Sequence, residues 1–534
     1  MGVGRVLSVT LVGVRGHLVE VEADLSQGLP ALIITGLPDV ALGEARDRLR
    51  AAIGNSRLSW PSGRVTIGLS PAWLPKQGSG LDLAMAAAVL CASGGVPAAA
   101  LDGAVLLGEL ALDGRVRGIR GILPAMLAAG RSGICRAYVP AANVSEARLV
   151  PEAEIFGVET LTRLVMLLRG DSPDAEPDDP GTPADPATGP GLTGTGPGLT
   201  GAGPGLLAGG ATDGRPPPDL ADVLGQDLGR RAVEVAAAGG HHVALGGPPG
   251  SGKTMLAERL PGVLPLLDTE AALEVTAVHS VAGALPPGGP LIRRPPYQAP
   301  HHTASVAALV GGGSGVARPG AVSLAHRGVL FLDEAPEFAS GVLDALRQPL
   351  ERGEVVLARS GGVTSYPARV QLVLAANPCP CSSSSAGDAC VCSPTLRRRY
   401  LARISGPLLD RVDLRVTLLP VRLSALMDDG VGVEGSAIVA ERVARARGAA
   451  AERWRAHGWR TNSEAPGAAL RGRYRLPRSV RAALDRALDS RAMSARGYDR
   501  VLRVAWTLAD LGGRTWPDAT DLGEATDFRL GRAA

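Results

Sequence analysis

Aromatic residues are scarce in this sequence, at 3% of 534 residues, so aliphatic side chains and alanine must fill the cores. Lysine is rarer still, since Lys76 and Lys253 are the only lysines among 55 basic residues. Six cysteines in so long a chain exclude a secreted disulfide scaffold. No basic segment followed by an apolar one opens the chain, and the longest uncharged run, 83–101, contains Gly-Gly and Pro. We expect a cytoplasmic protein without a membrane span, with a buried helix and loop at 83–101.

The composition is that of a globular protein, with 45% hydrophobic residues, 20% charged residues and a net charge of +3. Residues 171–218 stand apart, because they are rich in Pro and Gly and carry seven acids against one base. Such a segment cannot bury enough apolar surface to offset its ordering entropy, which predicts a flexible linker. We expect four parts: 1–170, the linker 171–218, 219–425 and 426–534.

The first and second folded parts show α/β patterns. In 1–170 we expect a strand pair turning at Gly16, a hairpin turning at Asp113-Gly114, and helices between the strands. Strand–loop–helix units fill 219–425, and 436–534 is helical. The segment 440–534 carries 19 arginines and 11 acids, which indicates either a solvated helical face or a nucleic-acid surface.

A phosphate-binding loop lies between an apolar strand and a helix. Its residues fit the pattern G-x-x-x-x-G-K-[ST] and are Gly247, Pro248, Pro249, Gly250, Ser251, Gly252, Lys253 and Thr254. Glycines let the backbone curl so that its N–H groups face phosphate oxygens at a helix N-terminus. We expect Lys253 to reach the β- and γ-phosphates and Thr254 to ligate Mg²⁺. The sequence therefore predicts ATP and Mg²⁺ as cofactors.

Two later strands end in polar residues. The strand in GVLFLDEAPEF ends in Asp333 and Glu334, about 80 residues after the loop. We expect Asp333 to help hold Mg²⁺ and Glu334 to activate the attacking water. The strand VQLVLAANP ends in Asn377, which would hold that water or sense the γ-phosphate. Asn377 could instead be an ordinary strand-ending residue before Pro378.

Four cysteines, Cys379, Cys381, Cys390 and Cys392, form the pattern C-x-C-x₈-C-x-C. Four thiolates can surround Zn²⁺ tetrahedrally, and a closed site of this kind would be structural. The alternative is a loop of free thiols. The pair His301-His302 is a second polar feature, for which contact with a pore or nucleotide and a capping or turn role are equally open.

These motifs together resemble one family, the YifB/ComM group of magnesium-chelatase-like AAA+ ATPases. The P-loop, LFLDEAPEF, AANPCPC and SGPLLDRVDL carry the resemblance, supported by DLADVLGQDLGRRAVEVAAAGGHH, APHHTAS and SARGYDRVLRVAWTLADL. The resemblance implies an AAA+ core with a parallel sheet, a C-terminal helical lid, and a ring, expected to be a hexamer, with ATP between subunits.

The resemblance also assigns roles to three arginines. Arg411 looks like an arginine finger offered to a neighbouring subunit, although it stands between Asp410 and Asp413 and a local ion pair would also explain it. In the lid, either Arg496 or Arg500 looks like the residue that senses bound nucleotide. Related AAA+ helicases project a hairpin into the pore of the ring.

The segment 354–369 is the corresponding hairpin candidate, with a turn at Gly361-Gly362. Arg359 and Arg369 would contact DNA phosphates there, and exposed arginines on a structural hairpin are the alternative.

The N-terminal part resembles the Lon-protease domain in KQGSGLDLAMA and in 108–140. A Lon-type peptidase needs a serine activated by a lysine. The resemblance places Gly80 and Leu123 at those two positions, and the nearby Ser79 and Lys76 do not match the pattern. We expect the fold without peptidase chemistry, serving to bind DNA or a protein partner or to assist ring assembly.

The favoured function is an ATPase that remodels or translocates DNA through backbone contacts, because ComM members of the family are branch-migration helicases that act in natural transformation. The alternatives are a magnesium-chelatase-type motor, a Lon-like protease and an ATP-dependent switch acting on a protein partner.

Overall fold

The computed structural model describes residues 2–36, 41–76, 78–171, 218–286, 289–313, 317–359, 362–381, 390, 392–421 and 433–531. All but the two end residues of the expected linker 171–218 lie outside the described residues, as does Gly361 of the expected hairpin turn. The contacts divide the chain into two compact units. The first comprises 1–206, 276–291 and 358–365, and the second comprises the rest.

The first unit is built on a seven-stranded sheet of order β3-β4-β2-β1-β5-β8-β9. Its β1–β2 and β2–β4 pairs are antiparallel, and the other pairs are parallel. The elements are β1 (Val3–Val12), β2 (Arg15–Ser26), β3 (Ala31–Thr35), α1 (Ala41–Asn55), β4 (Arg64–Ser70), α2 (Asp82–Ala92), β5 (Ala104–Leu106), β6 (Glu109–Leu110), β7 (Val116–Arg117), α3 (Ile122–Arg131), β8 (Arg136–Pro140), α4 (Val144–Ala147), β9 (Glu154–Val158) and α5 (Leu161–Arg169).

Two sequence expectations in this unit can be compared directly with the structure. The β1–β2 turn falls at Gly13, where φ is 68°, and not at Gly16, which lies inside β2. Glycine takes that left-handed conformation without steric cost, so the earlier glycine is the better turn residue. The expected hairpin at Asp113-Gly114 is present as the short antiparallel pair β6–β7.

Helix α2 is buried along its whole length, as expected for 83–101. It packs so closely against β1 that a Cβ added at Gly4 would lie 2.2 Å from the Ala88 carbonyl oxygen. Its single charge, Asp82, is paired with Arg48, whose Nε lies 2.8 Å from Oδ2. Burial raises the pKa of Asp82 to about 6, although Arg48 opposes that shift.

The second unit contains a five-stranded sheet of order β11-β14-β17-β10-β18, in which every adjacent pair is parallel. From 219 to the last strand of this sheet, the elements in chain order are α6 (Asp227–Gly239), β10 (Val243–Gly246), α7 (Lys253–Val263), α8 (Thr269–Ala282), β11 (Tyr297–Gln298), α9 (Val306–Val310), β12 (Gly311–Gly312), β13 (Arg318–Pro319), α10 (Ala321–Leu324), β14 (Val329–Leu332), α11 (Ser340–Ala345), α12 (Arg347–Arg352), β15 (Glu354–Arg359), β16 (Gly362–Pro367), β17 (Gln371–Ala376), α13 (Pro394–Leu401), α14 (Gly406–Leu409) and β18 (Leu414–Thr417). Residues 276–282 of α8 and 358–365 of the β15–β16 hairpin belong to the first unit. Strands β12 and β13 form one separate pair, and β15 and β16 form another.

The C-terminal part is helical, as expected. Its helices are α15 (Ser436–Trp454), α16 (Gly467–Arg471), α17 (Arg478–Asp489), α18 (Ala495–Leu511) and α19 (Ala519–Leu530). They share one hydrophobic core with α6, α7 and the strands β10 and β18. Trp454 and Trp506 are fully buried in that core, with ring centroids 5.9 Å apart. Within the described residues, no helix is both long and apolar enough to span a membrane.

Candidate ATP site and arginine-lined cavity

The phosphate-binding loop connects β10 to α7 at the carboxyl edge of the parallel sheet. Gly250 and Gly252 have φ values of 76° and 85°, and Gly252 precedes the first residue of α7. At Gly247 a Cβ would lie 2.7 Å from the carbonyl oxygen of Leu418, the residue after β18, so there is no room for a side chain there. The loop thus has the conformation that directs backbone N–H groups toward an anion at the start of a helix.

Thr254 and Asp333 meet directly. The Thr254 hydroxyl donates a 2.8 Å hydrogen bond to Oδ2 of Asp333, although the two residues are 79 positions apart. Strand β17 lies between β10 and β14, so the P-loop, Asn377 and Asp333 follow three adjacent strand ends. A hydroxyl and a carboxylate at this separation are oxygen ligands suited to Mg²⁺, and these residues therefore fit Mg²⁺ and ATP.

The Lys253 side chain is folded back onto its own loop. Its Nζ donates to the carbonyl oxygens of Gly247 and Pro248 at 2.9 and 2.8 Å. The side chain is 7% exposed, and burial lowers the pKa of its ammonium. A phosphate oxygen offers a charged acceptor in place of these neutral carbonyls, so bound nucleotide would draw the ammonium away from them.

Glu334 adopts φ = 50°, in the left-handed region, directly after Asp333. Its backbone N–H donates to Oδ1 of Asp333 at 2.9 Å, and its Oε2 lies 3.2 Å from Nδ1 of His302. His301 is used differently, because its Nδ1 bonds the Thr303 hydroxyl at 2.8 Å. The structure thus separates the two histidines: His301 stabilises a turn, and His302 contacts the expected water-activating carboxylate.

Within the described residues Arg411 pairs with neither Asp410 nor Asp413, so the alternative of a local ion pair with its two neighbours does not hold. Its Nη2 lies 2.7 Å from Oε2 of Glu351, and its Nη1 donates to the Pro407 carbonyl at 2.8 Å. Glu351 lies in α12, so the guanidinium faces that helix.

A cavity of about 1150 Å³ lies beside Arg411 within the second unit. Its lining includes His242, Gly328, Val370 and Asp413, which directly precede β10, β14, β17 and β18. The cavity therefore lies at the amino edge of the sheet, whereas the P-loop lies at the carboxyl edge, and a four-residue strand such as β10 spans roughly 13 Å. Nine arginines line it: Arg327, Arg352, Arg369, Arg411, Arg447, Arg460, Arg496, Arg500 and Arg503.

Arg496 and Arg500 both line this cavity but have different surroundings. Arg500 pairs with buried Asp413 at 2.5 Å, and Asp413 also lies 3.3 Å from Nδ1 of His241. Burial opposes ionisation of Asp413, yet Arg500 and His241 hold its pKa well below the usual range. Arg496 is exposed, and no hydrogen bond or ion pair connects it to the described residues.

The four cysteines converge. The Sγ–Sγ distances are 3.1 Å for Cys379–Cys381 and 3.4 Å for both Cys381–Cys390 and Cys379–Cys390. All four sulfur atoms, including that of Cys392, lie within 4.8 Å of one another. A tetrahedral Zn²⁺ with Zn–S bonds of about 2.3 Å needs sulfurs about 3.8 Å apart, so the cluster fits a metal ion.

Arg359 and Arg369 are both exposed but occupy different places. Arg359 is the last residue of β15, on the hairpin. Arg369 follows the end of β16 at Pro367 and lines the cavity. The hairpin expected over 354–369 therefore comprises β15 and β16 and ends before Arg369.

The serine and lysine of the N-terminal loop do not form a dyad. Nζ of Lys76 is buried and donates to the carbonyl oxygens of Pro71 and Leu74 at 2.5 and 3.1 Å. The Ser79 hydroxyl bonds to the Glu109 carboxylate. Leu123, at the position where the Lon pattern has lysine, is fully buried in α3.

Three family models match the chain. The models are described as "Magnesium chelatase, subunit ChlI" over 219–426, "Subunit ChlI of Mg-chelatase" over 21–143, and "Magnesium chelatase, subunit ChlI C-terminal" over 433–529. An uncharacterised protein of Mycobacterium tuberculosis is 53% identical over 534 residues, 99% of each chain. Competence protein ComM of Haemophilus influenzae is 37% identical over 530 residues, 99% of this chain and 98% of that protein. The uncharacterised protein YifB of Escherichia coli is 38% identical over 520 residues, 97% of this chain and 95% of that protein.

The chain therefore belongs to the YifB/ComM family of magnesium-chelatase-like AAA+ ATPases. A shorter match joins it to Lon protease of Citrifermentans bemidjiense, at 30% identity over 175 residues, 30% of this chain and 21% of that protein. Membership confirms the family expected from the sequence and implies ATP and Mg²⁺ as cofactors.

Proposed function

We propose that this protein is a ring-forming ATPase that uses ATP hydrolysis to remodel or translocate DNA, as a branch-migration helicase of the ComM type. The observation that carries the proposal is the separation of two sets of residues. Lys253, Thr254, Asp333 and Glu334 gather at the carboxyl edge of the sheet, and Arg411 and Arg496 lie on the cavity at the amino edge. Two complementary half-sites on opposite edges of one subunit can be joined when subunits assemble head to tail in a ring.

At the carboxyl edge each residue has a chemical task. Lys253 and the loop N–H groups bind the phosphates, while Thr254 and Asp333 hold Mg²⁺, which neutralises charge on the phosphate oxygens. Glu334, positioned by His302, accepts a hydrogen bond from the attacking water and orients it. Asn377, at the end of the central strand, lies where it can hold the same water.

At the amino edge the arginines serve the neighbouring subunit. Arg411 leaves Glu351 to stabilise the charge that develops on the transferred phosphoryl group, as an arginine finger. Arg496, which is exposed and unpaired within the described residues, senses the nucleotide. The helices α15 to α19 form the lid that carries Arg496, and six subunits close the ring.

DNA is the substrate favoured by two further observations. Arg359 is exposed at the end of β15, on a hairpin that would face the pore of the ring. A full-length relative is named a competence protein, and uptake and integration of DNA is what competence provides. No base-reading motif accompanies these arginines, so binding is expected to be backbone-driven and sensitive to salt.

The test is the ATPase rate of the purified full chain, with and without a four-way DNA junction, at 50 and 200 mM salt. Strong stimulation by the junction that fades at the higher salt supports the proposal. A rate that is indifferent to single-stranded, duplex and branched DNA contradicts it. Glu334→Gln serves as the control, because it should bind ATP without turning it over.

A magnesium-chelatase-type motor is the second candidate, because all three matching family models carry that name. Such a motor drives metal insertion into a porphyrin through a protein partner. Formation of Mg-porphyrin in a mixture of this chain, ATP and candidate partner subunits would favour it. Stimulation of the ATPase by a protein partner alone would instead favour a protein-directed switch.

The cysteine cluster is proposed to hold one structural Zn²⁺. It follows Asn377 directly and precedes α13, so a bound ion would fix the chain between the sheet edge and the Arg411 segment. The protein purified without chelator is expected to contain about one zinc per chain by elemental analysis. Cys381→Ser should lose that metal, and Cys135→Ser, at an exposed cysteine outside the cluster, should retain it.

A further inference from the structure

Helix α13 projects into solvent immediately after the cysteine cluster. Residues 393–399 are all exposed, and of the eight residues of the helix only Tyr400 is buried. Three consecutive residues of an α-helix cover an arc of about 200°, so a helix packed along one face would bury one of them. The exposure of Arg397, Arg398 and Arg399 together shows that the helix is held at its end and not along a face.

The helix is strongly and uniformly basic. Arg397, Arg398, Arg399 and Arg403 lie in a stretch, 389–409, that has no acidic residue. Arg403 pairs with Glu337 at 3.3 Å. Within the described residues, the side chains of Arg398 and Arg399 have neither a hydrogen bond nor an ion pair. The two guanidinium groups therefore lie on a protruding helix without a neutralising carboxylate among the described residues.

Two anchors orient this helix. Tyr400 is 4% exposed, and burial raises the pKa of its hydroxyl to about 12. At the other end, the Ser393 hydroxyl accepts the Leu396 N–H at 3.2 Å, one residue after Cys392. Arg397 Nη2 donates to the Cys390 carbonyl at 3.4 Å. The cysteine cluster thus fixes the start of the helix, and a metal held there would make that end rigid.

We propose that α13 is a nucleic-acid contact surface in which Arg398 and Arg399 bind backbone phosphates. The cysteine cluster fixes the start of the helix and so orients the two arginines. The proposal rests on the proposed DNA-dependent function. Phosphate is the favoured partner because guanidinium groups bind phosphate oxygens in pairs of hydrogen bonds and release counterions when they do so. An exposed helix whose arginines point in several directions can follow a backbone without reading bases.

The test is binding of the full-length double variant R398A/R399A to a fluorescent four-way junction and to a single strand, titrated between 50 and 200 mM salt. The matched control is R115A/R136A, which removes two exposed arginines that acids already neutralise. We expect R398A/R399A to weaken binding at least tenfold and to reduce the salt slope by about two, while the control and the DNA-free ATPase rate stay at the parent values.

Three results would overturn the proposal. Binding by R398A/R399A with the affinity and salt slope of the parent would exclude α13 as a DNA contact surface, and it would leave the proposed function of the protein intact. Failure of the parent to bind any DNA would remove the proposed function as well. Loss of ring assembly by R398A/R399A in sedimentation velocity would assign the helix to another copy of this chain. The variant R398E/R399E, with an unchanged melting temperature, should bind DNA more weakly still.

Discussion

Nδ1 of His302 lies 3.2 Å from Oε2 of Glu334, in a sheet edge where the Glu334 backbone is itself held at a positive φ. The carboxylate proposed to orient water is thus restrained from both its main chain and its side chain. Precise placement of a general base matters because proton transfer requires hydrogen-bond distance.

His302→Ala is therefore expected to lower kcat for ATP about tenfold and to leave the KM for ATP unchanged, because the contact acts on the base and not on the nucleotide. Steady-state ATPase kinetics provide the measurement. His301→Ala is the control, since that ring bonds Thr303 instead. Equal losses in the two variants would show that the Glu334 contact has no role in turnover.

Arg411 and the P-loop are proposed to act on nucleotide from different subunits. Lys253→Ala and Arg411→Ala should each reduce ATPase activity at least a hundredfold when tested alone. Mixed before assembly, the two variants should recover part of the parent rate, because some interfaces then combine an intact loop with an intact arginine. Absence of recovery in mixed rings, confirmed by differently tagged subunits, would contradict action between subunits.

Arg496 and Arg500 are expected to fail in different ways. Arg500→Ala leaves the buried carboxylate of Asp413 without its main partner, which should cost about 3–5 kcal/mol of stability. Arg496→Ala removes an exposed side chain that has no partner among the described residues, and it should leave the melting temperature unchanged while reducing ATPase activity. Thermal melts and ATPase rates measured on the same preparations distinguish the two roles. A stable but inactive R500A protein would instead assign nucleotide sensing to Arg500.

His242 predicts a pH dependence of stability. The ring is half-buried at the cavity wall, and its Nδ1 accepts the Leu372 N–H at 3.0 Å. Burial lowers the pKa of His242 to about 4, against an ordinary value of 6.5. The unfolded chain therefore binds a proton between pH 6.5 and 4 that the folded chain does not. Stability contributed by the neutral ring is complete above pH 6.5 and falls as the pH drops to 4, by up to about 1.4 kcal/mol per pH unit.

Urea unfolding followed by tryptophan fluorescence checks this slope, because Trp454, Trp459, Trp506 and Trp516 all lie in the second unit. His242→Asn should show a shallower loss of stability over the same pH range. His326, whose pKa burial also lowers, remains in both proteins, so the difference between them isolates His242. If stability falls equally with pH in the parent and the variant, His242 is not the group responsible.

Local patterns predicted much of this fold. The strand–loop–helix context of the P-loop, the buried helix α2 and the C-terminal helices follow from hydrophobic periodicity and glycine placement within short windows. The β1–β2 turn was misplaced by three residues, because Gly13 and Gly16 are equally permissive and only the register of β1 on β2 chooses between them.

Long polar side chains were harder to place. For Arg411 the sequence offered an adjacent aspartate as the alternative to a finger role, yet the side chain reaches Glu351, which is 60 residues away in the sequence. Arg500 pairs with Asp413, which is 87 residues away in the sequence. An arginine side chain is long and flexible, so its partner is whichever carboxylate the packing brings near.

The sequence alone predicts the ATP site, because a phosphate-binding loop is a local structure whose glycines, lysine and threonine lie within one short segment. The positions of the arginines relative to that site are not, since sequence order cannot tell which edge of a parallel sheet a later helix will cover. Only the packing of α18 and of the segment after α14 places Arg496 and Arg411 at the amino edge, opposite the P-loop, and this placement is the reason for proposing a neighbouring subunit as their partner.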